Sequence, residues 1–146
     1  MAGKKIRDVM TEGVELIEPD ASLTEAAARM AESDVGILPV GENDRLVGVV
    51  TDRDVVVRGI AQGSDPSQTK IRDVMTQRVL YCYEDQEAGE AADDMANQQV
   101  RRMPVVDRDK RLVGMISLAD IARKHDAGKA GKALREVVAP NGGLAG

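Results

Sequence analysis

The chain has 146 residues, 42% of them apolar but only 1% aromatic, and a formal net charge of −5. That length fits one ordinary domain or two small halves sharing a core, and with Tyr81 and Tyr83 as the only aromatics the core must be built from Val, Ile, Leu, Met and Ala. The acidic balance argues against DNA, RNA or an anionic membrane surface as the main partner, and Cys82, standing alone, excludes an internal disulfide framework or a multi-cysteine zinc site.

No apolar run approaches the length of a membrane span, and the basic start Met1–Lys5 leads into a charged segment rather than a signal-peptide core. The expectation is a soluble, cytoplasmic protein. Ile6-Arg7-Asp8-Val9-Met10-Thr11 then recurs letter for letter as Ile71-Arg72-Asp73-Val74-Met75-Thr76, and the same offset carries Met30 onto Met95 and Pro39 onto Pro104. This repeat fixes the organisation: a first unit at 6–64, a linker at 65–70, a second unit at 71–128 and a tail at 129–146. Units of about 60 residues are each too small to bury a core comfortably, so they are expected to pack face to face across a pseudo-two-fold axis.

Within the first copy, Val14–Ile17 reads as a short strand and Glu18-Pro19-Asp20 as a turn. Ser22 caps a helix with Glu25 at the capping-box position, and Leu23, Ala26, Ala27 and Met30 form one buried stripe, repeated as Ala88, Ala91, Ala92 and Met95. Strands around Ile37–Val40 and Leu46–Val50 flank the polar turn Glu42-Asn43-Asp44, and a helix after Thr51 runs to Gly59, a candidate C-cap. Each unit thus reads β-α-β-β-α, an α+β fold with α/β-type layers. Gln62–Lys70 reads as the linker, Ala133–Val138 as one or two helical turns, and Pro140-Asn141-Gly142-Gly143 as a fraying end.

The chemistry concentrates in Gly48-Val49-Val50-Thr51-Asp52-Arg53-Asp54, which returns as Gly114-Met115-Ile116-Ser117-Leu118-Ala119-Asp120. A strand ends at a hydroxyl residue that caps a helix, with an Asp three positions on. Free N–H groups, the positive helix end and a hydroxyl meet there, a combination suited to a phosphate, and a first-turn carboxylate can accept from a ribose diol. The same pattern is also a near relative of the capping box, in which the acid only reaches back to the cap N–H.

The Val-Met-Thr lead-ins, the Pro-Val pairs at 39–40 and 104–105 and the paired Gly-x-x-(Thr/Ser)-x-x-Asp motifs resemble a tandem CBS (cystathionine β-synthase) domain pair, or Bateman module, over residues 6 to about 126. The layout, short tail included, also resembles the small stand-alone hypoxic-response type found in actinobacteria. The resemblance implies a regulatory module without catalysis or a required cofactor, binding AMP, ADP, ATP or S-adenosylmethionine in clefts between the repeats. It places Thr51 and Ser117 at phosphate or ribose, Asp54 and Asp120 at the ribose hydroxyls, and the base against Ile37 and the stretch from Val79 to Tyr81. It further implies a homodimer and an unidentified protein effector. The alternative is an adaptor with vestigial clefts.

The copies differ. Arg101-Arg102 stand where copy one has Gly36-Ile37, and Arg53 answers to Ala119; each arginine is a candidate for phosphate or for an ordinary solvated edge. Lone His125 near a helix end suits C-terminal capping, Cys82 between two tyrosines suits half-buried packing, and Asp93-Asp94 splay apart on a helix, so neither a catalytic nor a metal site is expected. A basic cluster at Arg101, Arg102, Arg108, Lys110 and Arg111 is interrupted by Asp107 and Asp109, which makes nucleic acid an unlikely partner. Finally, Val55, Val56, Val57 and Ile60 cannot share one helix face, so apolar neighbours are expected on more than one side, with an isologous second chain supplying part of them.

Overall fold

The computed structural model describes residues 3–139. Residues 140–143, read above as a fraying end, lie outside the described residues. The chain folds as an α+β protein with two repeats, organised as two compact units: Glu15–Val79, and residues 3–14 together with 80–139. These units cut across the repeat boundaries. The first lead-in, with helix α1 (Ile6–Val9), puts Ile6, Val9 and Met10 into the core of the second copy, while Ile71 and Val74 of the second lead-in lie in the core of the first.

In the unit 15–79, helix α2 (Leu23–Ser33) precedes the antiparallel hairpin of β1 (Ile37–Glu42) and β2 (Arg45–Thr51). Ser22 caps α2 by accepting from the Glu25 N–H at 3.1 Å. The linker is part of this helix start: the carbonyls of Thr69 and Pro66 accept from Leu23 and Thr24 at 3.0 and 3.1 Å, satisfying first-turn donors that would otherwise be orphaned.

The expected strand Val14–Ile17 shrinks to one parallel bridge, Ile17 to Val40. Ile17 donates to the Pro39 carbonyl and accepts from Gly41, at 2.9 and 3.0 Å. Continuing the ladder in either direction needs an N–H from residue 19 or residue 39, and both are proline. In the second copy Glu84 stands where the first has Pro19, and its N–H does reach the Val106 carbonyl at 3.0 Å. There strand β3 (Cys82–Tyr83) forms and pairs with β4 (Arg102–Val106), which pairs in turn with β5 (Leu112–Ser117).

The helix after Thr51 is also corrected. It is a π-helix over Asp54–Gly59, with the Ile60 N–H reaching the Val55 carbonyl five residues back, and it continues as a 3-10 turn, Ile60–Gln62. The cap is Gly63 in the left-handed region (φ +80°), not Gly59. Gly59 serves packing instead, because a Cβ there would come within 2.6 Å of Leu23 Cδ1.

In the second unit, α3 (Ala88–Gln98) and α4 (Leu118–Lys124) cover the sheet, and the expected one or two turns of the tail become the three-turn helix α5 (Ala127–Val137). Asp126 caps α5 by accepting from Lys129 N–H at 2.9 Å, and Ala130, Ala133 and Val137 enter the core. Gly128 and Gly131 hide this helix from a propensity reading; packing against α3 and α4 overrides it. The predicted stripes differ for the same reason. Ala88, Ala91, Ala92 and Met95 are all fully buried, whereas in copy one Ala27, the counterpart of Ala92, is exposed. Among the described residues no helix is long and apolar enough to cross a membrane.

The glycines that open the two hydroxyl–Asp motifs, Gly48 and Gly114, are explained by the lead-ins. Thr11 exchanges backbone hydrogen bonds with Met115 at 2.8 and 3.0 Å, and Thr76 with Val49 at 2.9 and 3.0 Å. A Cβ on Gly114 would lie 2.7 Å from the Thr11 carbonyl, and one on Gly48 2.9 Å from that of Thr76. Gly48→Ala and Gly114→Ala are each expected to cost about 1–3 kcal/mol by overpacking, read as a lower urea midpoint with an unchanged slope.

Candidate functional site

Both hydroxyl–Asp motifs form reciprocal capping boxes. The Thr51 N–H donates to Asp54 Oδ2 at 3.0 Å and Thr51 Oγ1 accepts from the Asp54 N–H at 3.0 Å; at Ser117 and Asp120 the distances are 3.0 and 3.1 Å. Asp54 and Asp120 are the buried charged residues of the described chain, 9% and 4% exposed. The second oxygen of Asp120 takes the Arg123 guanidinium at 2.8 Å and stands 3.5 Å from the Thr11 hydroxyl; that of Asp54 faces Arg58 at 3.9 Å. Each aspartate therefore holds its strand–helix corner, and in copy two the carboxylate is fully engaged. The hydroxyls accept from one N–H each, which leaves each O–H free to donate outward.

Residue register sets the neighbours of these hydroxyls. Ile37 pairs with Thr51 across β1 and β2, and Arg102 pairs with Ser117 across β4 and β5, so each pair shares a sheet face. Both Arg101 and Arg102 border one groove of about 400 Å³, together with Ser117, Leu118, Ala119 and Ala122 and with Gly131 and Leu134 of α5. Successive side chains in a strand point to opposite faces, but Arg101 precedes the strand in a bend and is not bound by that alternation. Asp120 does not line this groove. In copy one, a groove of about 420 Å³ is lined by Ala27, Met30, Ala31, Asp34, Val35, Gly36, Asp52, Val55 and Val56; neither Thr51 nor Asp54 belongs to it. Arg53 is exposed beside Asp52, whose carboxylate accepts from the Arg53 N–H at 2.8 Å.

Val79 is half-buried at the end of the first unit. Tyr81, half-buried, meets Tyr83 edge-on at 5.7 Å. Sequence reasoning missed what surrounds this pair. Arg108 lies 4.0 Å from the centre of the Tyr83 ring and Lys110 Nζ 5.4 Å from that of Tyr81. Arg108 also makes a bidentate pair with Asp85, at 3.0 and 2.7 Å, and holds the Asp85 carboxyl below its usual range. Two of the five residues of the supposed basic cluster, Arg108 and Lys110, are thus engaged by aromatic faces and a carboxylate. The signal was the spacing of two tyrosines ahead of a basic turn.

Cys82 is fully buried rather than half-buried, and burial, with the Asp94 carboxylate adding to it, pushes its thiol up to about 12. His125 ends α4, its N–H on the Ile121 carbonyl at 2.9 Å. Asp93 pairs with Lys129 at 3.3 Å, and Asp94 is raised by burial and by Glu90 and Asp93. Among the described residues no three His, Cys, Asp or Glu side chains stand close enough to hold a metal ion.

The CBS domain profile matches the chain twice, over residues 6–59 and 71–126. The chain belongs to the CBS domain family. It is 41% identical to Hypoxic response protein 1 of Mycobacterium tuberculosis over 118 residues, 80% of this chain and 82% of that protein. A crystal structure of Hypoxic Response Protein I with two coordinated zinc ions superposes with a TM-score of 0.76 at 39% identity, over 83% of this CBS chain and 98% of that one. Two further CBS structures carry adenosyl ligands. CBSX2 in complex with AMP matches with TM-score 0.71 and 28% identity, over 83% and 95% of the two chains. A CBS domain pair with 5-methylthioadenosine and S-adenosyl-L-methionine matches with TM-score 0.72 and 26% identity, over 83% and 94%.

Two outcomes test this geometry. Asp120→Ala removes a buried acceptor of the cap N–H and of Arg123 and is expected to lower stability by about 1–3 kcal/mol in chemical denaturation. Cys82 is expected to stay unreactive toward a thiol-disulfide reagent at pH 8 in the folded protein and to react at once in denaturant.

Proposed function

We propose that this CBS pair is a non-catalytic regulatory module that binds a phosphate-bearing adenosyl nucleotide at the groove of its second copy and reports it to a protein effector. One observation carries the reading: two guanidinium groups and the Ser117 hydroxyl border the same groove, with Arg102 and Ser117 fixed opposite each other by strand register. Paired guanidinium groups suit an anion of phosphate geometry. They disfavour the sulfonium of S-adenosylmethionine, so AMP, ADP or ATP are the preferred candidates, in keeping with AMP in the related CBSX2. Copy one, with Gly36 and Ile37 at these positions and two carboxylates along its groove, offers phosphate no such cations. Thr51 is left with its outward O–H as the one candidate contact there. The proposed compartment is the cytoplasm, where a single thiol stays reduced.

The test is a thermal-shift panel of AMP, ADP, ATP, S-adenosylmethionine and NAD. A ligand at 100 times its dissociation constant is expected to add about 2.7 kcal/mol. Arg102→Ala is expected to weaken a nucleotide phosphate contact by about 10- to 100-fold while leaving the melting temperature of the free protein in place. If no adenosyl compound at millimolar concentration shifts the melting temperature, the adaptor reading replaces this one.

A second reading concerns self-association, and a specific observation favours it. Val56, Val57 and Ile60 are 56%, 41% and 48% exposed, so among the described residues nothing covers the apolar run that the sequence singles out beyond Val55. We propose a homodimer. Light scattering at micromolar concentration is expected to give the mass of two chains; a mass of one chain removes it.

A further inference from the structure

Gly131 has no explanation inside the chain. It lies in the interior of α5, where glycine disfavours a helix more than any residue but proline. The backbone does not require it, since the described glycines with left-handed φ are Gly13 and Gly63. Packing does not require it either. A Cβ at Gly131 would meet nothing within 4 Å, whereas one at Gly89, on the neighbouring helix α3, would lie 3.2 Å from Lys129 Nζ. Gly128, the other glycine of α5, belongs to the first turn beside the Asp126 cap and does not border the groove of the second copy.

The open space at Gly131 is that groove, the one bordered by Arg101, Arg102 and Ser117. Ala127, Ala130, Gly131 and Leu134 recur at i, i+3, i+4 and i+7, so one face of α5 forms a wall of it. Ala119 and Ala122 of α4 line it too, again with short side chains. The polar groups come from β4, β5 and the bend before β4, and the lining residues of the two helices are all apolar. A neighbouring face of α5 is fixed, with Ala133 and Val137 in the core and Lys129 paired to Asp93 at 3.3 Å. The wall therefore stands in place without a ligand.

Guanidinium groups answer a phosphate, but a phosphate has no use for an apolar wall. Short apolar side chains beside cations fit a flat ring joined to the phosphate, and a glycine in the wall lets that ring come close to the helix backbone. Leu134, 42% exposed in the free chain, gains a cover in the same step. Tyr81, which the resemblance gives to the base, does not border this groove. The second match to the CBS profile ends at residue 126 and α5 begins at Ala127, so the wall lies outside the repeat.

We propose that α5 is the base-side wall of the nucleotide groove: the adenine ring lies against the helix at Gly131, beside Leu134, while Arg101 and Arg102 take the phosphate. Gly131 is then a specificity-determining residue, kept without a side chain to admit the ring. The inference rests on the nucleotide reading above and adds to it the place of the base.

Calorimetric titration with AMP, ADP and ATP is run on wild type, Gly131→Ala, Gly131→Leu and Arg102→Ala, each with a circular dichroism melt of the free protein. Both Gly131 variants are expected to melt at or above the wild-type temperature, because their side chains enter open space in a helix interior. Gly131→Leu is expected to bind nucleotide about 10-fold or more weakly, with a smaller loss for Gly131→Ala. Intermolecular nuclear Overhauser effects from the adenine ring protons to the Leu134 methyl groups are expected in the wild-type complex. Bound nucleotide without those effects overturns the proposal. So do Gly131 variants that melt lower but keep the wild-type affinity, which marks a purely structural glycine. If Arg102→Ala weakens binding and neither Gly131 variant does, the base lies elsewhere and the nucleotide groove stands. A wild type that binds none of the three nucleotides at millimolar concentration removes both readings.

Discussion

The backbone pairing of each lead-in with the other copy's last strand is the contact on which the rest of the fold depends. Thr11 with Met115 and Thr76 with Val49 each exchange two hydrogen bonds, and the glycine beside each partner lets the threonine carbonyl lie against the strand. This anchors Ile6, Val9 and Met10 in one core and Ile71 and Val74 in the other. Neither copy therefore carries a complete core in its own sequence. Deleting one copy would strip the survivor of buried aliphatic side chains worth about 1.5–3 kcal/mol each. A chain with almost no aromatic residues has little surplus with which to absorb that loss.

The second constraint is the reciprocal cap at each strand–helix corner. A carboxylate buried to this degree is tolerated only when it is hydrogen-bonded, and here it receives the N–H of the residue that starts the corner. The hydroxyl and the acid thus orient each other and hold the hydroxyl at the edge of the sheet. In copy two this places Ser117 opposite Arg102, so the structural role and the candidate binding role are consecutive steps of one arrangement rather than rivals. The capping pattern was legible in the sequence because its spacing is short and local. Which of its atoms remain free was not, since that depends on Arg123 and Thr11, and Thr11 comes from the far end of the chain.

The same division between local and distant causes runs through the fold. The two hairpins and the Ser22 cap follow from spacing alone and appear as expected, and so do Leu23, Ala26 and Met30 of the α2 stripe, whereas Ala27 is exposed. The lost strand at 14–17 has a cause visible in the sequence, two prolines, but its effect depends on which residues face each other across the ladder. Helix α5 was under-read because two glycines depress its propensity while the apolar stripe that stabilises it has meaning only once α3 and α4 are in place. The π-helix has no signal that we can name in Asp54–Gly59; three adjacent valines mark the segment as unusual without specifying a wider turn.

Divergence at a few equivalent positions gives the two copies opposite surface chemistry. Asp34 answers to Gln99, Gly36 to Arg101, Ile37 to Arg102 and Asp52 to Leu118. These exchanges are coupled sterically as well as electrically. A Cβ on Gly36 would meet Asp52 Oδ2 at 2.9 Å, so a side chain there requires that carboxylate to swing aside. In copy two the corresponding acid is replaced by Leu118, which turns into the core, and the bend at 101 is free to carry a long cation. The Gln99 side chain meanwhile donates to the Glu136 carbonyl at 3.4 Å, near the end of α5, where an acid would face a carbonyl and gain nothing. One set of substitutions therefore seats the tail helix, frees two guanidinium groups and leaves the other copy with an acidic, unfilled groove. The opposite charge of the two grooves traces to these few exchanges between equivalent positions.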